Sequence, residues 1–117
     1  MRVLAAPDKF RGSLTALEVA GAINKAVNRS GGIPTGAPMA DGGEGTLEVL
    51  GGPNRTTIVA GPSGGPVKAE WRLAGKTAVI EVARVSGLTL AGGPENNDPL
   101  EATTKGTGEL IRCALEQ

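Results

Sequence analysis

The spacing of apolar and polar residues changes along the chain and divides it into distinct stretches. Arg2 to Ala6 (RVLAA) is a short apolar run closed by Pro7, the pattern of a buried strand that ends at a functional edge. From Thr15 onward the apolar positions recur at helical spacing, with Leu17, Ala20, Ile23 and Val27 on one face. Thr15 and Glu18 have capping-box spacing, and Leu14 and Val19 sit at the two positions of a hydrophobic staple. The spacing therefore predicts a helix from Thr15 to about Asn28, ending before Gly31. Strand, loop and helix in that order open a βαβ unit.

Ile33 to Met39 follows as a second strand, although Pro34, Gly36 and Pro38 count against it. After Thr46 comes a helical turn or two, LEVL, ended by Gly51, Gly52 and Pro53. From Arg55 the texture turns to β: RTTIVAG, PVKAEWRL and TAVIEVA (Thr77 to Ala83) are separated by GPSGG and AGK, the spacing of a meander. Residues 86–101 read as an irregular connection. A last helix is predicted over Thr107 to Glu116, with Leu110, Ile111, Ala114 and Leu115 on one face.

These elements give an α/β chain: a partial Rossmann-like βαβ unit, a β-rich meander and a C-terminal helix. At 117 residues it is one segment, with a βα part over 1–54, a β-rich part over 55–85 and a connection plus last helix over 86–117. Two helices and one stub are too few to cover both faces of a parallel sheet, so the expectation is a fragment of a larger, two-domain α/β protein.

Composition narrows the chemistry. The formal net charge is zero, so no overall field draws the chain to nucleic acid or an anionic membrane, and neither is expected as a partner. Only Phe10 and Trp71 are aromatic, which removes a stacking platform for bases. Histidine is absent, so Ser/His/Asp and Cys/His schemes and His-containing metal sites are excluded, and base work falls to a carboxylate or a lysine. The single cysteine, Cys113, has no internal disulfide partner and sits on the apolar side of the last helix as a packing residue. Val3 to Ala6 is too short for a signal peptide and no stretch reaches transmembrane length, so the expected compartment is the cytoplasm.

Three polar loops carry the candidate chemistry. In PDKFRGSL, Pro7 to Leu14, Lys9 and Arg11 would sit beside the N–H groups of a helix N-terminus, a setting suited to a carboxylate or phosphate. The alternative is an ordinary βα loop in which Asp8 stabilises the turn. In MADGGEGT, Met39 to Thr46, Gly42, Gly43 and Gly45 would let N–H groups approach a phosphate, while a carboxylate could hold Mg²⁺ or accept a proton. Asp41 and Glu44 also have capping-box spacing, so both could simply start the LEVL helix. Glycines at the first helical positions argue against helix formation as their sole purpose. In ATTKGTGEL, Ala102 to Leu110, the N–H groups, threonine hydroxyls and Lys105 could bind phosphate oxygens, or the loop could be a helix entry with threonine caps. None of the three matches GxxxxGK[ST] or a full GxGxxG.

Taken together, APDKFRGSLTALEVAGAI (Ala6 to Ile23), PMADGGEGT (Pro38 to Thr46), TAVIEVARVSGL (Thr77 to Leu88) and DPLEATTKGTGELIRCAL (Asp98 to Leu115) resemble the bacterial glycerate kinase family in order and spacing. The resemblance runs over essentially the whole chain, which corresponds to the N-terminal third of a family member. It implies a two-domain α/β enzyme that moves the γ-phosphoryl of ATP, with Mg²⁺, onto glycerate, members of this type being associated with 2-phosphoglycerate. It further implies that Asp8, Lys9, Arg11 and Ser13 bind substrate, and that Gly42, Gly43, Gly45, Thr46, Thr104, Gly106, Thr107 and Gly108 line the phosphates. Asp41 is then the catalytic residue or, with Glu44, the Mg²⁺ ligand. The chain departs from the family in its short helix after GGEGT and in the GGIPTG before Pro38. A further glycine-rich family loop would fall beyond Gln117, so the chain alone is expected to be inactive, either a catalytic fragment or a small-anion-binding module. A homo-oligomer or a complementary fragment is the expected protein partner.

Overall fold

The computed structural model describes all residues 1–117 and divides into two compact units, Met1–Val49 and Leu50–Gln117. The architecture is α/β, as the pattern predicts. No helix is long and apolar enough to cross a membrane.

The first unit is a βαβ unit: β1 (Arg2–Ala5), α1 (Ala16–Arg29) and β2 (Ile33–Gly36), followed by the single turn α2 (Thr46–Val49). The predicted capping box forms. Thr15 Oγ1 accepts from the Glu18 N–H at 3.2 Å, and the Glu18 carboxylate takes the Thr15 N–H at 2.8 Å. The buried face of α1 is Ala16, Val19 and Ala20, whereas Leu17, expected on it, is exposed. Ala20 is buried as expected and Ile23 and Val27 are half-buried, so Leu17 alone departs from the expected face.

β1 and β2 pair in parallel, with Arg2 opposite Ile33 and Ala5 opposite Gly36. Ile33 N–H donates to the Met1 carbonyl and Ala37 N–H to the Ala5 carbonyl, so odd-numbered residues of each strand face the other. Pro34 therefore lies on the outer side of β2, where its missing N–H breaks no ladder bond. That is how a strand with a proline forms here. Regular strand geometry ends at Gly36 rather than Met39, yet the zipper continues: Met39 N–H donates to the Pro7 carbonyl at 2.9 Å.

The second unit is an antiparallel meander, β3 (Arg55–Ala60), β4 (Pro66–Ala74) and β5 (Thr77–Val79), covered by α5 (Lys105–Leu115). Val59, Ala69, Trp71, Val85 and Leu110 form its core, with Leu73, Ile80 and Ala114 packed against them. Trp71 Nε1 donates to Thr57 Oγ1 at 3.1 Å, and Cys113 Sγ lies 3.7 Å from that oxygen, so Cys113 packs as expected. α5 sits so close to β3 that a Cβ at Gly106 would overlap the Ala60 carbonyl oxygen.

Three expectations are adjusted in this unit. TAVIEVA does not stay extended to Ala83, because β5 ends at Val79 and a helical turn, α3 (Ala83–Ser86), follows. Glu81 is buried with Arg84 Nε 3.5 Å away at helical i,i+3 spacing, and Arg84 also reaches Glu70 at 2.8 Å. The connection over 86–101 also contains a turn, α4 (Gly93–Asn96). The last helix starts at Lys105, two residues early, with the Lys105 N–H held by Thr103 Oγ1 at 3.1 Å.

Candidate functional site

Both strands of the parallel pair run out into polar loops at their carboxyl ends. In open α/β sheets that is where ligands bind. Pro7–Leu14 leaves β1 and enters α1, and Pro38–Thr46 leaves β2 and enters α2. The Met39–Pro7 backbone bond holds the two loops side by side.

Lys9 and Asp41, one from each loop, meet here with Nζ 3.7 Å from Oδ1. The Lys9 side chain is largely covered, at 18% exposed, while Asp41 is 64% exposed and faces solvent. The Gly43 N–H donates to the same Asp41 oxygen at 2.9 Å. This hydrogen bond first, and the charge of Lys9 second, hold the Asp41 carboxyl below its usual range.

The glycines have separate reasons. Gly42 and Gly45 sit at φ 95° and 92°, in the left-handed region that favours glycine. A Cβ at Gly43 would come within 3.0 Å of Asp41 Oδ1 and 3.6 Å of Lys9 Nζ, so its absence keeps the pair accessible. The capping-box alternative for Asp41 and Glu44 does not form. Asp41 closes a turn onto Gly43, and α2 starts at Thr46, whose hydroxyl donates to the Gly43 carbonyl at 2.7 Å.

Other residues of the first loop stand apart from this pair. Asp8 Oδ1 accepts the Lys9 N–H at 2.6 Å and so shapes the turn that presents Lys9. Ser13 Oγ points back to the Phe10 carbonyl at 3.4 Å, Arg11 is exposed, and Glu44 is exposed. No group of three or more acidic or thiol side chains converges as a metal cage.

In the second unit, Thr104 precedes α5, and its carbonyl already accepts the N–H groups of Thr107 and Gly108 at 3.0 and 3.3 Å. Gly106 is buried against β3, and Lys105 Nζ lies 3.7 Å from Glu109, which also takes the Ala60 N–H at 2.9 Å. The Thr107 hydroxyl is paired with Ser86 Oγ at 2.8 Å. Ser86 was no candidate from its own neighbourhood. The available signal was that it lies within one of the four recognisable segments, Thr77 to Leu88.

The family model described as the glycerate kinase family matches residues 3–117. The chain belongs to the glycerate kinase family. It is 45% identical over 126 aligned positions to the glycerate 2-kinase of Escherichia coli K12 and 44% identical over 124 to the glycerate kinase of Bacillus subtilis 168, covering 99% of this chain and 32% of each relative. A crystal structure assigned as glycerate kinase 2 from Salmonella typhimurium LT2 superposes with a TM-score of 0.81 at 41% identity, over 99% of this chain and 33% of that one. The chain thus spans about a third of the length of the glycerate kinases it matches. The alignment to the Escherichia coli protein is longer than the chain, so that relative carries residues absent here.

Proposed function

We propose that this chain is the acceptor-binding part of a glycerate kinase, an enzyme that moves the γ-phosphoryl of ATP onto a hydroxyl of glycerate. What supports the reading is one arrangement: a largely covered ammonium and an exposed, ionised carboxylate within 3.7 Å of each other at the carboxyl ends of a parallel strand pair. Phosphoryl transfer depends mainly on positioning and charge neutralisation, and this pair offers both signs of charge at one place. In this reading Lys9, with Arg11, receives the glycerate carboxylate. Asp8 and Ser13 set the turn that carries them. Asp41 orients the acceptor hydroxyl and takes its proton, or ligates Mg²⁺. An aspartate is ionised near neutrality, which either role requires, and the lowered pKa favours that form further while making Asp41 a weaker base.

Mg²⁺ keeps several waters and binds through one or two carboxylates together with substrate phosphates, and the exposed Asp41, with Glu44 three residues on, suits that mode better than an all-protein cage. The ion would neutralise charge on the transferring group. Gly42, Gly43, Gly45 and Thr46 would line the phosphates. An ATP-dependent enzyme of small organic acids fits a cytoplasmic setting.

A second reading, an anion-binding module without turnover of its own, is favoured by the largely covered Lys9 ammonium beside a glycine-rich turn. Asp41→Asn in a full-length protein carrying this segment tests the first reading. The expected result is kcat lowered by roughly 100-fold or more with unchanged thermal unfolding. Unchanged turnover rejects the role. Phosphoglycerate formation by the 117-residue chain alone, followed by ³¹P NMR, would reject the second reading.

A further inference from the structure

We propose that the joint between the two units is a pivot at Leu50, and that the glycine pair after it, Gly51 and Gly52, is held rigid by the guanidinium of Arg72. The pivot stands whether or not the Lys9–Asp41 pair binds glycerate. Backbone freedom alone would make the glycine pair the swivel. The hydrogen bonds say otherwise. Arg72 Nη1 donates to the Gly51 carbonyl at 2.9 Å and to the Gly52 carbonyl at 3.1 Å, and bonds from a charged donor are the stronger kind. The guanidinium lies so close to Gly51 that a Cβ there would come within 2.9 Å of its central carbon. Both glycines sit in the left-handed region, at φ 107° and 74°. Glycine is needed here for shape and for the close approach of Arg72, not for mobility.

The residues that follow are anchored to the same strand. Asn54 N–H donates to the Trp71 carbonyl at 3.0 Å, and the Asn54 side-chain amide exchanges two hydrogen bonds of 2.9 Å with the Leu73 main chain. Pro53, between Gly52 and Asn54, has its φ fixed by its ring. Residues 51–54 therefore ride on β4, inside the Leu50–Gln117 unit. On the other side, α2 is tied into Met1–Val49: the Thr46 hydroxyl donates to the Gly43 carbonyl, the Val49 N–H donates to the Gly45 carbonyl, and Leu47 is fully buried. Leu50, 53% exposed, separates the two anchored stretches. A hinge is a residue or a few that absorb dihedral change between fixed flanks, and Leu50 fits that description. Lys9 and Asp41 both precede it, so rotation at Leu50 leaves their geometry intact.

The test reads ¹⁵N relaxation and residual dipolar couplings of the 117-residue chain. The expected result is separate alignment tensors for the two units, with the couplings of Thr46–Val49 fitting the first and those of Gly51, Gly52 and Asn54 fitting the second. The Gly51 and Gly52 amides should have order parameters of about 0.85, like the meander, and Arg72→Met should drop both below about 0.6 while Trp71 fluorescence still reports a folded core. One tensor for the whole chain would overturn the pivot. Mobile Gly51 and Gly52 in the unsubstituted chain would overturn the clamp, and so would order parameters that Arg72→Met leaves unchanged. Should Arg72→Met fail to fold, the profile of the unsubstituted chain decides both points.

Discussion

Gly106→Ala adds one methyl group at the closest approach between α5 and β3. Alanine in a helix interior is favoured over glycine by about 1 kcal/mol, so helix propensity alone calls for a more stable protein. The contact calls for the opposite. The new Cβ would overlap the Ala60 carbonyl oxygen and lie 3.2 Å from Val59 Cγ2, and the first of these is main chain on a strand that cannot rotate away. α5 must instead withdraw by about 1 Å, a gap that forfeits up to half of the dispersion energy at each affected contact. Leu110, fully buried on the same helix, withdraws with it from Val59, Ala69 and Trp71. Overpacking of this kind costs about 1–3 kcal/mol, and a backbone obstacle belongs at the upper end. Subtracting the propensity gain leaves a net loss of about 2 kcal/mol. Trp71, the only tryptophan and a member of the same core, reports unfolding by its fluorescence. With a urea dependence of about 1 kcal/mol per M for a unit of this size, the midpoint should fall by about 2 M. Gly108→Ala, two residues along the same helix with nothing within 4 Å of the added methyl, is the internal comparison and should raise the midpoint. If Gly106→Ala unfolds at or above the wild-type midpoint, the account of α5 packing is wrong.

Three further outcomes follow from the first unit. Lys9→Met should raise the Asp41 carboxyl titration, read by ¹³C NMR, but leave it below the usual range because the Gly43 N–H is the larger cause; a return to the ordinary value would contradict that order. Thr15→Ala should cost about 1 kcal/mol in thermal unfolding followed by circular dichroism, and an unchanged melt would deny the cap its role. The Glu18 carboxyl is held low first by the Thr15 backbone N–H and then by its hydroxyl, and Asp41 is held low as described; groups with depressed folded pKa values add stability above their unfolded pKa and lose it as pH falls through the folded one. Urea midpoints should therefore be flat near neutrality and decline in the acid range below the ordinary carboxylate values, and Glu18→Gln should make that decline shallower.

What the letters reveal depends on how local the deciding interaction is. α1 is legible from Thr15 and Glu18 because both halves of its cap lie within four residues. The meander is legible because its turns carry their own glycines. TAVIEVA misleads because an apolar run does not distinguish a strand from a helical turn, and the buried Glu81 with Arg84 decides it through neighbours from β4. α5 begins early because Gly106 reads locally as loop, while its purpose is to let the helix touch Ala60, far away in sequence. For the site, each loop could be named and its charges noted. That Lys9 meets Asp41 depends on parallel pairing of β1 with β2 and on the Met39–Pro7 bond, neither of which has a local signature.

The seating of α5 on β3 also sets an order of events during synthesis. The meander leaves the ribosome with Val59, Ala69 and Trp71 on one face, and the helix that shields them is made dozens of residues later. Until Gly106 and Leu110 arrive, that hydrophobic surface is bare to solvent and to other nascent chains. Slow translation across residues 86–104 should therefore lengthen the interval in which the polypeptide is prone to aggregate or to be captured by chaperones.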